Sequence, residues 1–253
     1  VRRWAGLEAG HILSRRLGFR RHYRLPPWSR HVEVHWGQLG QAYVTPVGED
    51  EVCVAAVTRH RGLCFDDLLE DIPYLRQALS GAEAIGRDRG AATTTRRLRR
   101  VTRGKIALIG DASGSADAIT GEGLASTFRE ALLLGRALAR DCIADYEAGH
   151  PRILRLPQAM ASLILTLDRW PAWRDHVLRT LAGSPELFAA MLSVHVGESS
   201  VPRFAARHSL SLALRLLKPR TASPINASHT AAIGAALKAK QAELPYRPFP
   251  DLA

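Results

Sequence analysis

The spacing of apolar positions divides the chain into stretches of different character. Residues 18–61 read as β: 20–25 alternates loosely and stops at Pro26-Pro27, and 31–36 alternates cleanly. There Val32, Val34 and Trp36 share one face, and His31, Glu33 and His35 share the other, which reads as solvated. Gly37 and Gly40 mark a turn, 41–46 is the return strand, and 48–51 is a hairpin turn before a strand at 52–57. Residues 65–81 change to helical spacing, with Leu68, Leu69, Ile72, Leu75 and Leu79 in one stripe. Asp66 or Asp67 can cap that helix, and Pro73 breaks it. A polar crossing at 82–90 precedes a strand at 91–101.

The second half begins with a short branched apolar run, 106–109, set between Gly104-Lys105 and Gly110-Asp111. It reads as a fully buried parallel strand. From Leu124 to Tyr146 the spacing is helical, with Phe128, Leu132, Ala139 and Ile143 inward and Arg129, Glu130, Arg136 and Arg140 outward. Pro151 and Pro157 bracket a break, and helices follow near 158–169, 172–182 and 185–196, where Met160, Leu163, Leu165, Leu167 and Met191 read as core. Residues 202–220 are basic and leucine-rich. From Thr221 onward Pro, Ser, Ala and Asn dominate, predicting little order beyond a short helix at 230–243. The pattern as a whole is α/β (α+β).

Between the run 106–109 and the helix lies a loop rich in Gly, Ser, Thr and Asp. A strand-to-helix loop offers unpaired N–H groups and the positive end of a helix dipole, the place where α/β sheets hold ligands. Glycines at 110, 114, 121 and 123 permit close approach to the main chain, and Asp111 is an acceptor for a polyol hydroxyl. Taken alone, a glycine-rich connection of this kind binds a phosphate or nothing. In order and spacing, however, Gly110-Asp111-Ala112-Ser113-Gly114 and Thr120-Gly121-Glu122-Gly123-Leu124 resemble the second flavin-binding motif of the FAD-dependent monooxygenase and geranylgeranyl reductase superfamily. That superfamily has the p-hydroxybenzoate hydroxylase type of fold.

The resemblance implies FAD as cofactor, with Asp111 on the ribityl chain and the backbone of Gly121, Glu122, Gly123 and Leu124 on the pyrimidine edge of the ring. It brings Gly110, Ala112, Ala118 and Thr120 into the same site. The reductases and flavin halogenases have Asp-Pro before the turn, where this chain has Asp117-Ala118. Halogenases also carry a tryptophan pair where Gln41 and Tyr43 stand, which speaks against halogenation. Trp36, Tyr43 and Thr45 are the candidate substrate contacts, and no catalytic acid or base is assigned.

The implied architecture is a partial FAD-binding Rossmann-like domain with an inserted antiparallel substrate-side sheet and a C-terminal helical cap. Residues 1–18 would be a remnant of the FAD domain, 19–98 the substrate domain, 99–147 the strand-loop-helix of the FAD domain, 148–220 the helical region and 221–253 a flexible tail. Val1-Arg2-Arg3-Trp4 is neither a signal peptide nor an initiation site and looks like the end of an upstream motif. That would leave the Gly-x-Gly-x-x-Gly half outside this chain.

Composition changes the picture little. Charged residues are 23% and hydrophobic ones 46% of 253. The net charge is +11 and the pI about 10.4, but the arginines are spread through every segment rather than gathered beside aromatics, which argues against nucleic acid. The basic leucines of 202–220 leave peripheral membrane contact open, beside docking on neighbouring helices. Cys53, Cys64 and Cys142 suit no disulfide framework and no metal, which fits a reducing cytoplasm. His31 and His35 lack zinc spacing. The expected activity is oxygen transfer to a small organic substrate with NAD(P)H as reductant. Reduction of an isoprenoid or other alkene, and a non-catalytic or inactive binding module, are the alternatives.

Overall fold

A strand of 15 residues, β1 (Gly10–Arg24), runs through the centre of the main sheet. The computed structural model describes residues 1–217, so the expectations for the tail and for a helix at 230–243 lie outside the described residues. Strands β2 (Glu33–Trp36), β3 (Gln41–Gly48) and β4 (Glu51–Thr58) form a meander on one side of β1. Helices α1 (Phe65–Glu70) and α2 (Pro73–Ala78) follow, then β5 (Glu83–Leu98) on the other side of β1. The sheet order is β2-β3-β4-β1-β5-β8, where β8 is Gly114–Ser115. Every strand pair among the described residues is antiparallel.

Alternation gives the sheet two different faces. On one, Tyr23 of β1, Ala42 and Val44 of β3, and Val52, Val54 and Ala56 of β4 pack on Phe65, Leu68, Ile72 and Leu75 of the two helices. The cap of α1 is Cys64, not Asp66 or Asp67. Asp67 sits at the third helical position, where its carboxylate accepts from the Cys64 N–H at 2.7 Å, which holds it below the usual carboxylate range. On the other face lie Arg16, Gly18 and Arg20 of β1, with Ala55 and Val57 of β4 and Gln41 and Tyr43 of β3 in register beside them.

Several expectations are corrected. Residues 106–109 are not a buried parallel strand. Gly104, at φ 55°, reverses the chain so that β7 (Ile106–Ala107) pairs back on β6 (Thr102–Arg103) as a hairpin. Of that run only Leu108 is buried, and Ile109 is 39% exposed. Residues 82–90, expected as a crossing, belong to β5, and their polarity reflects an exposed ladder with β1 rather than a loop. The two faces at 31–36 are exchanged. Val32 and Val34 are exposed, while Glu33 is half-buried and accepts from Trp28 Nε1 at 2.9 Å and lies 3.3 Å from His35 Nε2. The His35 and Trp28 donors pull the Glu33 carboxyl below its ordinary value.

The helix expected over 124–146 is two. α3 (Gly123–Ala139) ends at a tight reversal with Asp141 at φ 51°, and α4 (Ile143–Arg169) follows. On α3 the inward residues are Ser126, Glu130 and Ala137, whereas Phe128 and Leu132 are 66% and 59% exposed. Pro151 and Pro157 lie inside α4 instead of bracketing a break. Tyr146, His150, Leu154, Pro157 and Ala161 form one buried stripe at helical spacing through both prolines, and that burial outweighs their roughly 3 kcal/mol penalties.

Residues 1–168 form one compact unit, and a second begins at Arg169. In the first unit, the Ala5 and Leu7 N–H groups donate to Val1 O and Arg2 O, a single turn whose Ala5 and Leu7 bury against Leu108. β1 then starts at Gly10, so residue 18 falls inside a strand. The second unit contains α5 (Pro171–Ala182), α6 (Pro185–His195) and α7 (Val201–Leu216), each with a proline in its first turn. α7 half-buries Phe204, His208, Leu212 and Leu216 and leaves Leu210 and Leu214 exposed. No helix among the described residues is long and apolar enough to cross a membrane.

Candidate functional site

The loop from β7 to α3 is held at its start and in its middle by buried groups. At its start Gly110 adopts φ 61°, a left-handed turn that a side chain resists. The Gly110 N–H donates to Glu130 Oε2 of α3 at 2.6 Å. The Ser113 hydroxyl lies between Gly110 O (2.8 Å) and the same carboxylate oxygen (3.0 Å). Glu130 is 1% exposed, and its other oxygen is 3.2 Å from His150 Nε2, an approach whose angle is too poor for a hydrogen bond. The carboxylate therefore fixes the loop mainly through the Gly110 and Ser113 donors.

Asp117 fixes the middle of the loop. It is fully enclosed, accepts from Arg16 Nη1 and Ser14 Oγ of β1 at 3.1 Å each, and caps the turn Ala118–Thr120 through the Ile119 N–H. Arg16 passes the connection on, donating to Gln41 Oε1 and to Val57 O, and Gln41 donates in turn to Asp168. Tyr43 OH donates to Ile119 O at 3.0 Å, and burial pushes its phenol above the usual range. The loop is thus pinned to the Arg16 face of the sheet by one buried ion pair and a chain of hydrogen bonds.

Between loop and sheet opens a cleft of about 1460 Å³. All nine expected cofactor residues line it: Gly110, Asp111 and Ala112 at one end, Ala118 and Thr120 in the middle, and Gly121, Glu122, Gly123 and Leu124 at the head of α3. A Cβ added at Gly121 or Gly123 would meet nothing within 4 Å, so the main chain there is open to the cleft. The N–H groups of the first turn of α3 have no intrahelical acceptor, and the helix dipole adds positive potential at the same point. The Asp111 carboxylate is exposed and makes no hydrogen bond or ion pair among the described residues; Arg2 donates instead to its carbonyl, at 2.6 Å.

The expected substrate residues lie elsewhere. Trp36, Tyr43 and Thr45 share the sheet face that the cleft uses but are not among its lining. Tyr43 turns its hydroxyl to the loop backbone. The sheet wall of the cleft is made instead by Gly18, Arg20, Ala55, Val57, Ala91 and Thr93. Sequence reasoning missed Arg16 and Glu130. An arginine in an arginine-rich chain carries no signal, and Glu130 reads as an outward charge on an ordinary helix.

No protein-family model and no curated protein matches the chain. Among solved structures it is similar to a flavoprotein/dehydrogenase from Cytophaga hutchinsonii, with a TM-score of 0.64, 13% identity, and 85% of this chain against 58% of that one. It is similar to a flavin-dependent brominase at a TM-score of 0.59 and 19% identity, over 82% and 57% of the two chains. The Diels-Alderase of pyrroindomycin biosynthesis follows at 0.58 and 21%, over 77% and 46%. The chain spans about half the length of these proteins. At such identities the likeness is one of fold, an α/β fold shared with proteins that include flavin-dependent enzymes.

Proposed function

We propose that the cleft holds the flavin end of FAD and that the chain belongs to an FAD-dependent oxidoreductase, a monooxygenase drawing on NAD(P)H and oxygen. One observation carries this reading: the nine residues between Gly110 and Leu124 singled out by a flavin motif line one cleft, the uncompensated carboxylate of Asp111 among them. The residues fit the group. Asp111 offers an acceptor to a polyol hydroxyl, and the open main chain of Gly121 and Gly123 admits a flat ring edge without steric conflict. The first turn of α3 supplies N–H donors and positive potential where a reduced ring would carry negative charge. FAD, when bound, supplies the redox chemistry itself. This chain's own residues orient it: Glu130 and Asp117 hold the loop, and the sheet wall closes the opposite side.

Titration of the full chain with FAD, followed by flavin fluorescence, tests the reading. The Asp111→Ala variant is expected to bind about ten- to a hundredfold more weakly, the range for a hydrogen bond to a charged group. Unchanged affinity in the variant would overturn the assignment. Gln41 and Tyr43, which stand where halogenases carry a tryptophan pair, favour oxygen transfer over halide oxidation. The Thr120-Gly121-Glu122-Gly123 turn supports alkene reduction as a second reading, and oxygen consumption measured against alkene loss separates the two. Exposed Leu210 and Leu214 beside exposed Arg203, Arg207 and Arg215 support peripheral contact with an anionic membrane. Co-sedimentation with phosphatidylserine vesicles but not phosphatidylcholine vesicles is the matching outcome.

A further inference from the structure

Arg20 of β1 and Arg89 of β5 are register partners, directly opposed across an antiparallel pair. Both are exposed, both line the cleft, and neither makes an ion pair or hydrogen bond among the described residues. Their neighbours are treated differently. Arg21 is held by Asp66 and Asp88, Arg24 by Glu83, and His22 by Glu51. Two like charges directly opposite each other on a sheet repel, and unrelieved they weaken the pairing. Next to them on the same sheet face stand Gly18, Ala55 and Ala91, which line the cleft with little but small, apolar surface.

We propose that Arg20 and Arg89 form an anion clamp for the substrate, which is therefore a flat apolar molecule ending in a carboxylate or a phosphate. The inference rests on reading the rest of the cleft as the flavin site and adds the class of molecule that shares it. An anion between the two guanidiniums removes their repulsion and gains charge-assisted hydrogen bonds, while the small side chains next to them accept the ring system. The clamp sets specificity: a neutral isostere leaves the two cations opposed.

The test uses the full chain with 2-naphthoate, 2-naphthyl phosphate and the neutral 2-naphthamide, followed by probe fluorescence, in the parent, Arg20→Gln and Arg89→Gln. In the parent at low salt, both anions are expected to bind about tenfold more tightly than the amide, and the tighter of them identifies the anion. Each variant is expected to lose about three- to tenfold of that affinity for the anions and none for the amide. The free variants should melt no lower than the parent, because a repulsion has been removed. Equal binding of acid and amide in the parent, or unchanged acid binding in both variants, overturns the proposal. FAD titrations run alongside separate the two readings. Unchanged FAD affinity in the variants assigns the arginines to the substrate, whereas a parallel loss assigns them to the cofactor's phosphates and overturns the clamp. Anion discrimination without any FAD binding would leave the clamp standing and sink the flavin reading.

Discussion

Asp117 and Arg16 show how a single buried pair can hold a site. Their side chains are 0% and 4% exposed, so neither charge is relieved by water. Removing one partner strands the other, which costs about 3–5 kcal/mol for a buried pair. Asp117→Ala is therefore expected to lower stability by that amount in urea unfolding, and to weaken FAD binding by loosening the turn Ala118–Thr120. The double variant Asp117→Leu with Arg16→Met should lose less than the two single changes added together, because no lone charge remains. Tyr43 acts on the same loop through its neutral form. Its folded phenol titrates above the ordinary value of 10.0, so its stabilisation is fully present below pH 10. Above that, the unfolded chain ionises while Tyr43 stays protonated, and stability falls as pH rises. Buried Tyr146 is shifted the same way and bears on the same limb. A Tyr43→Phe chain should show a shallower decline in melting temperature above pH 10 than the parent, while losing the Ile119 hydrogen bond at neutral pH. In the sequence Asp117 is marked as the aspartate of an Asp-Pro pair whose proline is replaced by Ala118. Its partner is not marked, since nothing distinguishes Arg16 from the other arginines until the strand register places it over the loop.

At the scale of elements, α3 shows why periodicity finds a helix and then misplaces its face. Leu124, Phe128, Leu132 and Leu138 lie on one side, and Leu133, Leu134 and Ala137 on the other. Both stripes are apolar, so spacing alone cannot choose between them. The choice is made by Glu130, drawn inward by the Gly110 and Ser113 donors, and Leu133, Leu134 and Ala137 follow it against Val101 and Tyr146. Two substitutions separate these roles. Leu132→Ser, on the exposed side, is expected to change stability by no more than about 0.5 kcal/mol. Glu130→Ala leaves the Gly110 N–H without its acceptor and the Ser113 hydroxyl with Gly110 O alone, and should cost about 2 kcal/mol, read from denaturant midpoints. The hairpins of the meander were legible because Gly37, Gly40 and Gly48 punctuate alternating runs. The run 106–109 was misread as parallel because its composition does not encode a partner. The left-handed turn at Gly104 supplies one by folding the chain back on Thr102–Arg103.

On the scale of the whole molecule, the cleft belongs to the first unit alone, and its two walls come from distant parts of the chain: β1, β4 and β5 on one side, the loop and α3 on the other. The loop wall was legible from residues 110–124 because a motif compresses it into one contiguous stretch. The sheet wall was not, because Arg20, Ala55 and Arg89 become neighbours only through the pairing of three strands. A ligand touching both walls must act on both in hydrogen exchange. FAD at a hundred times its dissociation constant stabilises the folded unit by about 2.7 kcal/mol. Amides of the first unit that exchange only through its global unfolding, those of Val52 and Val54 under α1 and α2, should then slow about a hundredfold. Loop amides at 110–127, which open locally, should slow by an amount set by their own contact with the ligand. If FAD protects the loop but leaves Val52 and Val54 unchanged, it binds an opened form as well as the folded one, and the cleft between loop and sheet is not its seat.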